Sequence, residues 1–323
     1  MIDLMAPVRW VSPEEPATAL WRGLAQVLTF PTLGLDPSVA LLNPGAAAKH
    51  TVQRIHIPLG DTTTPGHLFV PHHSEGATVV IAHGTTAPHA TSYYMWVQAL
   101  LARGINVLTF ELDGHGENPR PLKVPDIQDN VPAAIAYARS RREIDPARVG
   151  LLGISLGGAC SLHAAAQDPG VRAVVTVGSP NRIRIDEWGK FGEVLGLFNP
   201  EVAPTFFEAS PNVLLGFLKT HLRSDHARRD EPSDLMSSTT RQAVSAALRQ
   251  LDPLAAAASL GKTPLLVING EWDFIAPSDH ARELWTRAPG EKAMLLVPRR
   301  NHFTVMVSRR AVQAMADWFG RHV

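Results

Sequence analysis

The chain has 323 residues, of which 45% are hydrophobic and 19% are charged, and its 30 Lys and Arg balance its 30 Asp and Glu. A chain of this length can bury a full core without a metal or disulfide staple. Its charge balance argues against nucleic-acid binding through phosphate contacts and against polybasic membrane binding. The single cysteine, Cys160, excludes a disulfide framework and is interpreted as a small buried hydrophobic residue.

The first fifty residues predict an N-terminal extension that packs on the core. Ser12-Pro13-Glu14-Glu15 is a capping-box pattern, and the apolar residues after it follow helical spacing. A membrane-surface helix is the alternative, but its polar face is short of Lys and Arg. The chain has no run of 18 apolar residues and no apolar secretory signal near its start, so we expect a cytoplasmic protein without a membrane partner.

From residue 51 the pattern changes to alternating strands and helices. The segment TVQRIHIPL (51–59), the turn-rich DTTTPG and then GHLFVP (66–71) predict an antiparallel pair. Strands alternating with helices predict an α/β fold with a parallel sheet covered on both faces. The further predicted strands are 77–84, 105–112, 148–154, 171–178, 263–270 and 292–298, and the predicted helices are 91–104, 126–142, 155–167 and 308–322.

One interval, 181–262, interrupts this alternation. It is too long for an ordinary crossover, and a structureless loop of that length is unusual in a compact domain. Three segments within it, 188–198, 212–222 and 241–251, have helical character. We therefore predict a helical cap at 181–262, inserted into a core formed by 51–180 and 263–323.

The candidate nucleophile is Ser155, within the G-x-S-x-G pattern GISLG at 153–157. A serine at a sharp strand-to-helix turn points its hydroxyl out of the sheet, and the residues two before and two after it must be small. An apolar strand precedes the pattern and an Ala/Leu-rich helix follows, as this geometry requires. A glycine-rich turn without chemistry is the alternative interpretation.

A serine hydroxyl needs a base that is itself held by a third group, and in this architecture the order is serine, acid, histidine. The acid should follow a late strand, where Asp273 is the candidate and Glu271 its rival. The base should follow the last strand, where His302 is the histidine that precedes the closing helix. His280 comes too soon after Asp273, on the intervening helix.

Acyl transfer also needs backbone N–H donors directed at the developing oxyanion. One should be Leu156, at the start of the helix that follows the nucleophile, where the helix dipole favours negative charge. The other should be Thr85, in the His83-Gly84-Thr85-Thr86 loop after the third strand. His83 is interpreted as an orienting residue. The chemistry requires no cofactor, and the histidines lack an HExxH or carboxylate-anchored set, so no metal site is predicted.

Four stretches together resemble the α/β-hydrolase superfamily, in its dienelactone-hydrolase-like and prolyl-oligopeptidase-like branches. IDPARVGLLGISLGGA (144–159) resembles the nucleophile segment, and AHGTT (82–86) the oxyanion loop. ELDGHGENP (111–119) is similar to the segment after the fourth strand, and NGEWDFIAP (269–277) to the acid motif. The resemblance implies a mostly parallel eight-stranded sheet with helices on both faces. It also implies a Ser155–Asp273–His302 triad and oxyanion donors at Thr85 and Leu156. Where many relatives carry a glycine, Arg299-Arg300-Asn301 precede His302.

These features favour a serine hydrolase that cleaves a carboxylic ester of a small or medium apolar acyl substrate. An exopeptidase, an acyl thioesterase and a non-catalytic ligand-binding protein remain alternatives, and a homo-oligomer stays open. Arg182 and Arg184 could bind a substrate carboxylate or stay solvated. Aromatic residues of the cap could line an acyl pocket or pack the cap itself; the candidates are Trp188, Phe191, Phe206 and Phe207.

Overall fold

The core of the protein is one eight-stranded sheet. The computed structural model describes residues 50–85, 94–123, 125–182, 238–273, 275–300, 302 and 304–323. Its strands are β1 (His50–Leu59), β2 (Thr62–Pro71), β3 (Thr78–Ala82), β4 (Asn106–Phe110), β5 (Val149–Ile154), β6 (Val171–Val177), β7 (Leu265–Gly270) and β8 (Lys292–Val297).

The strands lie side by side in the order β1-β2-β4-β3-β5-β6-β7-β8. The β1–β2 and β2–β4 pairs are antiparallel, and every pair from β4–β3 to β7–β8 is parallel. The inner strands β3, β4, β5 and β7 are buried along their whole length, whereas the edge strands β1 and β8 show an alternating pattern. Continuous apolar runs therefore mark strands covered on both faces. The mostly parallel sheet predicted from the sequence is confirmed.

Helices cover both faces of the sheet. They are α1 (Tyr94–Leu101), α2 (Asn130–Arg139), α3 (Leu156–Gln167), α4 (Ser238–Leu251), α5 (Pro253–Ala258), α6 (Ser278–Arg287) and α7 (Arg309–His322), with 3-10 turns at Asp126–Asp129 and Thr304–Val307. Two separate apolar clusters form where they pack. One cluster includes α2 to α6, and the other includes α1 and α7.

The first hairpin differs from its prediction. β2 begins at Thr62, four residues before the predicted start, so the stretch expected to be a turn is mostly strand. The connection is only Gly60 and Asp61, because Leu59 already pairs with Thr62. Gly60 has a φ of +64°, which suits a two-residue hairpin, and the threonines that follow favour extended backbone.

The predicted domain limits remain predictions. Of the predicted cap, the segment 241–251 is helical as part of α4, where Val244, Ala247 and Leu248 are buried in the core. The predicted helices 188–198 and 212–222, and the predicted extension apart from His50, lie outside the described residues. In the part of the chain that is described, no helix combines the length and apolar character needed to cross a bilayer.

Candidate active site

Ser155 lies in the tight turn between β5 and α3. Its φ of 52° and ψ of −121° are strained for a residue with a side chain. A Cβ added to Gly153 would lie 2.4 Å from the Gly157 carbonyl oxygen, and one added to Gly157 would lie 2.2 Å from that of Ala82. The small residues of the G-x-S-x-G pattern are therefore required by steric contact with the helix and with β3.

One imidazole connects Ser155 to a buried carboxylate. Nε2 of His302 lies 3.1 Å from Oγ of Ser155, and Nδ1 lies 2.9 Å from Oδ2 and 3.1 Å from Oδ1 of Asp273. All three residues are buried, with exposed fractions of 8% for Ser155, 4% for His302 and 5% for Asp273. An ionised carboxylate only accepts hydrogen bonds, so Nδ1–H donates to Asp273 and Nε2 is left to accept from the serine hydroxyl.

Asp273 is held by the backbone of its own loop. Its Oδ1 accepts hydrogen bonds from the N–H of Ile275 at 3.0 Å and of Ala276 at 2.7 Å. Its own N–H donates to the Gly270 carbonyl at the end of β7. These contacts aim the carboxylate at His302.

Gly178 supports the imidazole–carboxylate pair from the end of β6. Its φ is +56°, and a Cβ added there would lie 3.2 Å from Cε1 and Nδ1 of His302 and 3.3 Å from Oδ2 of Asp273. Because Gly178 has no side chain, the imidazole ring of His302 can pack closely against the end of β6.

The loop after β3 lies against Ser155. A Cβ added to Gly84 would be 2.9 Å from that of Ser155, so Thr85 follows a residue in direct contact with the serine. Leu156 is the first residue of α3, and N–H groups in the first turn of a helix lack intrahelical partners. Both predicted oxyanion donors thus belong to segments that adjoin Ser155.

His83 fixes the direction of the peptide that precedes Thr85. The N–H of Leu112 donates to its Nε2 at 2.9 Å, so the proton is on Nδ1, which donates to the Gly84 carbonyl at 2.8 Å. In a trans peptide the C=O and the next N–H point in opposite directions. The Gly84 carbonyl faces His83, so the N–H of Thr85 faces away from it.

His115 contacts the next peptide of the same loop, a contact that the sequence analysis did not identify. Its Nε2 lies 3.2 Å from the Thr85 carbonyl oxygen and its Nδ1 lies 2.9 Å from that of Asp113. Burial, with the neighbouring His83, lowers the pKa of His115 to about 4. His115 lies between two glycines in ELDGHGENP (111–119), and this motif is the feature of the sequence that could have pointed to its role.

Glu271, the rival of Asp273, contacts a different partner. Its Oε2 accepts a hydrogen bond from the N–H of Arg299 at 3.2 Å, whereas the carboxylate within hydrogen-bond distance of His302 is that of Asp273. The two acidic residues are two positions apart on one loop but point to different neighbours.

Arg182, a candidate ligand for a substrate carboxylate, contacts acidic side chains of the protein. Arg182 pairs with Glu283, with an Nη1–Oε2 distance of 2.6 Å, and lies 3.5 Å from Asp279. It therefore forms ion pairs within the protein.

Among the described residues, no group of three or more His, Cys, Asp or Glu side chains is arranged to hold a metal ion. Arg184 and the proposed pocket residues lie outside the described part of the chain; the latter are Trp188, Phe191, Phe206 and Phe207.

Comparison with known families gives a match over most of the chain. Residues 73–306 match the sequence model of a hydrolase family described as "Serine aminopeptidase, S33". The matched region contains the predicted nucleophile, acid and base.

Individual relatives are more distant. An uncharacterized protein of Mycobacterium tuberculosis is 28% identical over 154 residues, which cover 47% of this chain and 52% of that protein. The chain thus spans about half the length of the first curated relatives that it matches. Two solved structures share the fold. DcsB superposes with a TM-score of 0.64 at 18% identity, over 84% of this chain and 99% of DcsB. An esterase of Pyrococcus furiosus superposes with a TM-score of 0.59 at 18% identity, over 89% of this chain and 94% of the esterase.

Proposed function

The chain belongs to the serine aminopeptidase S33 family of the α/β-hydrolase superfamily, and from this premise we propose that it is a serine hydrolase that cleaves a carboxylic ester. The observation that carries the proposal is the contact of His302 with both Ser155 and Asp273. This is the arrangement by which a neutral hydroxyl becomes a nucleophile near pH 7. The proposed substrate is a small molecule with a small or medium apolar acyl group.

In the first half of the reaction, Ser155 Oγ attacks the ester carbonyl carbon while its proton moves to Nε2 of His302. Asp273 keeps the Nδ1–H tautomer and stabilises the imidazolium that forms. The tetrahedral intermediate collapses, the C–O bond to the leaving alcohol breaks, and the imidazolium gives its proton to that alcohol. The acyl group remains on Ser155.

The negative charge on the carbonyl oxygen is stabilised by the N–H groups of Thr85 and Leu156. Both belong to segments next to the serine, and α3 adds the positive end of its dipole. In the second half, water attacks the acyl-enzyme with His302 as base, which releases the acid and restores the hydroxyl. These steps use groups of the protein, the ester and one water molecule.

The family description favours a second candidate, an exopeptidase that uses the same residues on an amide. An acyl thioesterase would also use them, whereas a ligand-binding protein would need none of their reactivity. Purified protein should be assayed with p-nitrophenyl esters of graded acyl length, aminoacyl anilides and acyl-CoA. A preference for esters supports our proposal, whereas faster anilide or thioester cleavage replaces it.

The mechanism is tested with Ser155→Ala and a fluorophosphonate probe, which forms a covalent bond with activated serines. Ser161→Ala is a matched control, since Ser161 is a fully buried serine of α3. We expect wild type and the control to be labelled, and Ser155→Ala to lose labelling and at least about 10⁴-fold of kcat. Full turnover in Ser155→Ala, or no labelling of wild type at neutral pH, would refute the mechanism.

A further inference from the structure

Besides the contact of His302 with Asp273, three hydrogen bonds between described residues join the loop after β7 to the end of β8 and the loop that follows it. Two are between backbone groups: the N–H of Glu271 donates to Val297 at 3.0 Å, and the N–H of Trp272 donates to Arg300 at 2.9 Å. The third uses a side chain, because the carboxylate of Glu271 accepts from the N–H of Arg299.

Arg299 adopts a backbone conformation that favours glycine. Its φ is +56°, in the left-handed region, where the Cβ of an L-residue comes too close to its own backbone. Such a conformation persists only when surrounding contacts hold it. Arg299 lies three residues before His302, so a change in its φ would redirect the segment that carries the imidazole.

We propose that Glu271 is a positioning residue for His302. Its carboxylate holds the N–H of Arg299, keeps that residue left-handed, and thereby keeps Nε2 of His302 within reach of Ser155. An ionised acceptor suits this task because its hydrogen bonds are stronger than those of a neutral one. The catalytic consequence rests on the proposed function, in which His302 is the base; the structural role of Glu271 does not.

The proposal is tested first by removing the Glu271 carboxylate, and then by combining that change with a glycine at 299, which needs no support to adopt a positive φ. In Glu271→Ala we expect kcat to fall about tenfold with KM unchanged, because a displacement of a few tenths of an ångström is costly for a reacting group. Glu271→Gln keeps an acceptor oxygen and should stay within about threefold of wild type. Glu75→Ala is the control, since it removes a carboxylate whose side chain is 86% exposed.

Glycine at 299 supplies the decisive comparison. Arg299→Gly should be close to wild type, and the double variant Glu271→Ala/Arg299→Gly should recover most of the lost kcat, since glycine adopts a positive φ without a steric cost. A general loosening of the loop would not be reversed by glycine. Wild-type kcat in Glu271→Ala, or no recovery in the double variant, would overturn the proposal.

A second measurement is independent of turnover. Hydrogen exchange at the Arg299 amide should be slow in wild type and in Glu75→Ala, and faster in Glu271→Ala. Equal exchange in wild type and Glu271→Ala would show that the carboxylate does not hold this amide. If fluorophosphonate fails to label wild type, the proposed function fails, while the exchange result still decides the role of Glu271.

Discussion

Replacing Gly178 with alanine tests how tightly the candidate triad is packed. The new Cβ would meet Cε1 and Nδ1 of His302 at 3.2 Å and Oδ2 of Asp273 at 3.3 Å, so the imidazole or the carboxylate must move by a few tenths of an ångström. The φ of +56° adds backbone strain of roughly 1–2 kcal/mol. Two effects are therefore expected, one on stability and one on the geometry of the site.

Gly261→Ala separates the two effects. Gly261 has a φ of +61°, and nothing lies within 4 Å of a Cβ built on it. Both variants should lose about 1–2 kcal/mol in their free energy of unfolding, which is measured by urea denaturation. Because the backbone strain is shared, any further difference between the two variants in stability or in kcat reports the contact of the new Cβ with His302 and Asp273.

We expect Gly178→Ala to lose about tenfold in kcat, since a misplacement of 1 Å can cost about 100-fold, whereas Gly261→Ala should keep the wild-type rate. The assays are turnover of the preferred p-nitrophenyl ester and the rate of fluorophosphonate labelling. Equal kcat in the two alanine variants, whether high or low, would refute the assignment of Gly178 as the support of His302.

Two further results are expected. The folded-state pKa of His115 is lowered to about 4 from the ordinary 6.5, so the unfolded chain binds the proton first as pH falls and the free energy of unfolding decreases between those values, by up to about 3 kcal/mol. Urea denaturation from pH 7 to 4 should show a shallower decrease in His115→Asn, and parallel curves would contradict this origin. Cys160 is buried and burial raises the pKa of its thiol to about 12, so Ellman's reagent should leave the native protein unlabelled and modify one thiol after unfolding in guanidinium. Rapid labelling of the native protein, with loss of activity, would instead point to a reactive cysteine.

The sequence by itself determined the features that depend on near neighbours along the chain. The tight turn at Ser155 could be predicted because its glycines are required by contacts between residues close in sequence, such as that between Gly153 and the Gly157 carbonyl. The inner strands were recognisable because burial on both faces requires a continuous apolar run, as in β5 and β7. The start of β2 was missed because turn-forming residues also fit an extended strand once a two-residue hairpin precedes them.

Only the tertiary structure decided which distant side chains meet. His302 and Ser155 are 147 positions apart, and their contact depends on how β5 and the loop after β8 are placed by the sheet. The pattern at 269–277 favoured Asp273, but Glu271 carries the same charge on the same loop, and only the folded loop shows which carboxylate faces the imidazole. That choice depends on the backbone N–H groups that hold Asp273 and on the left-handed Arg299 that engages Glu271, contacts that exist only after the two loops pack together.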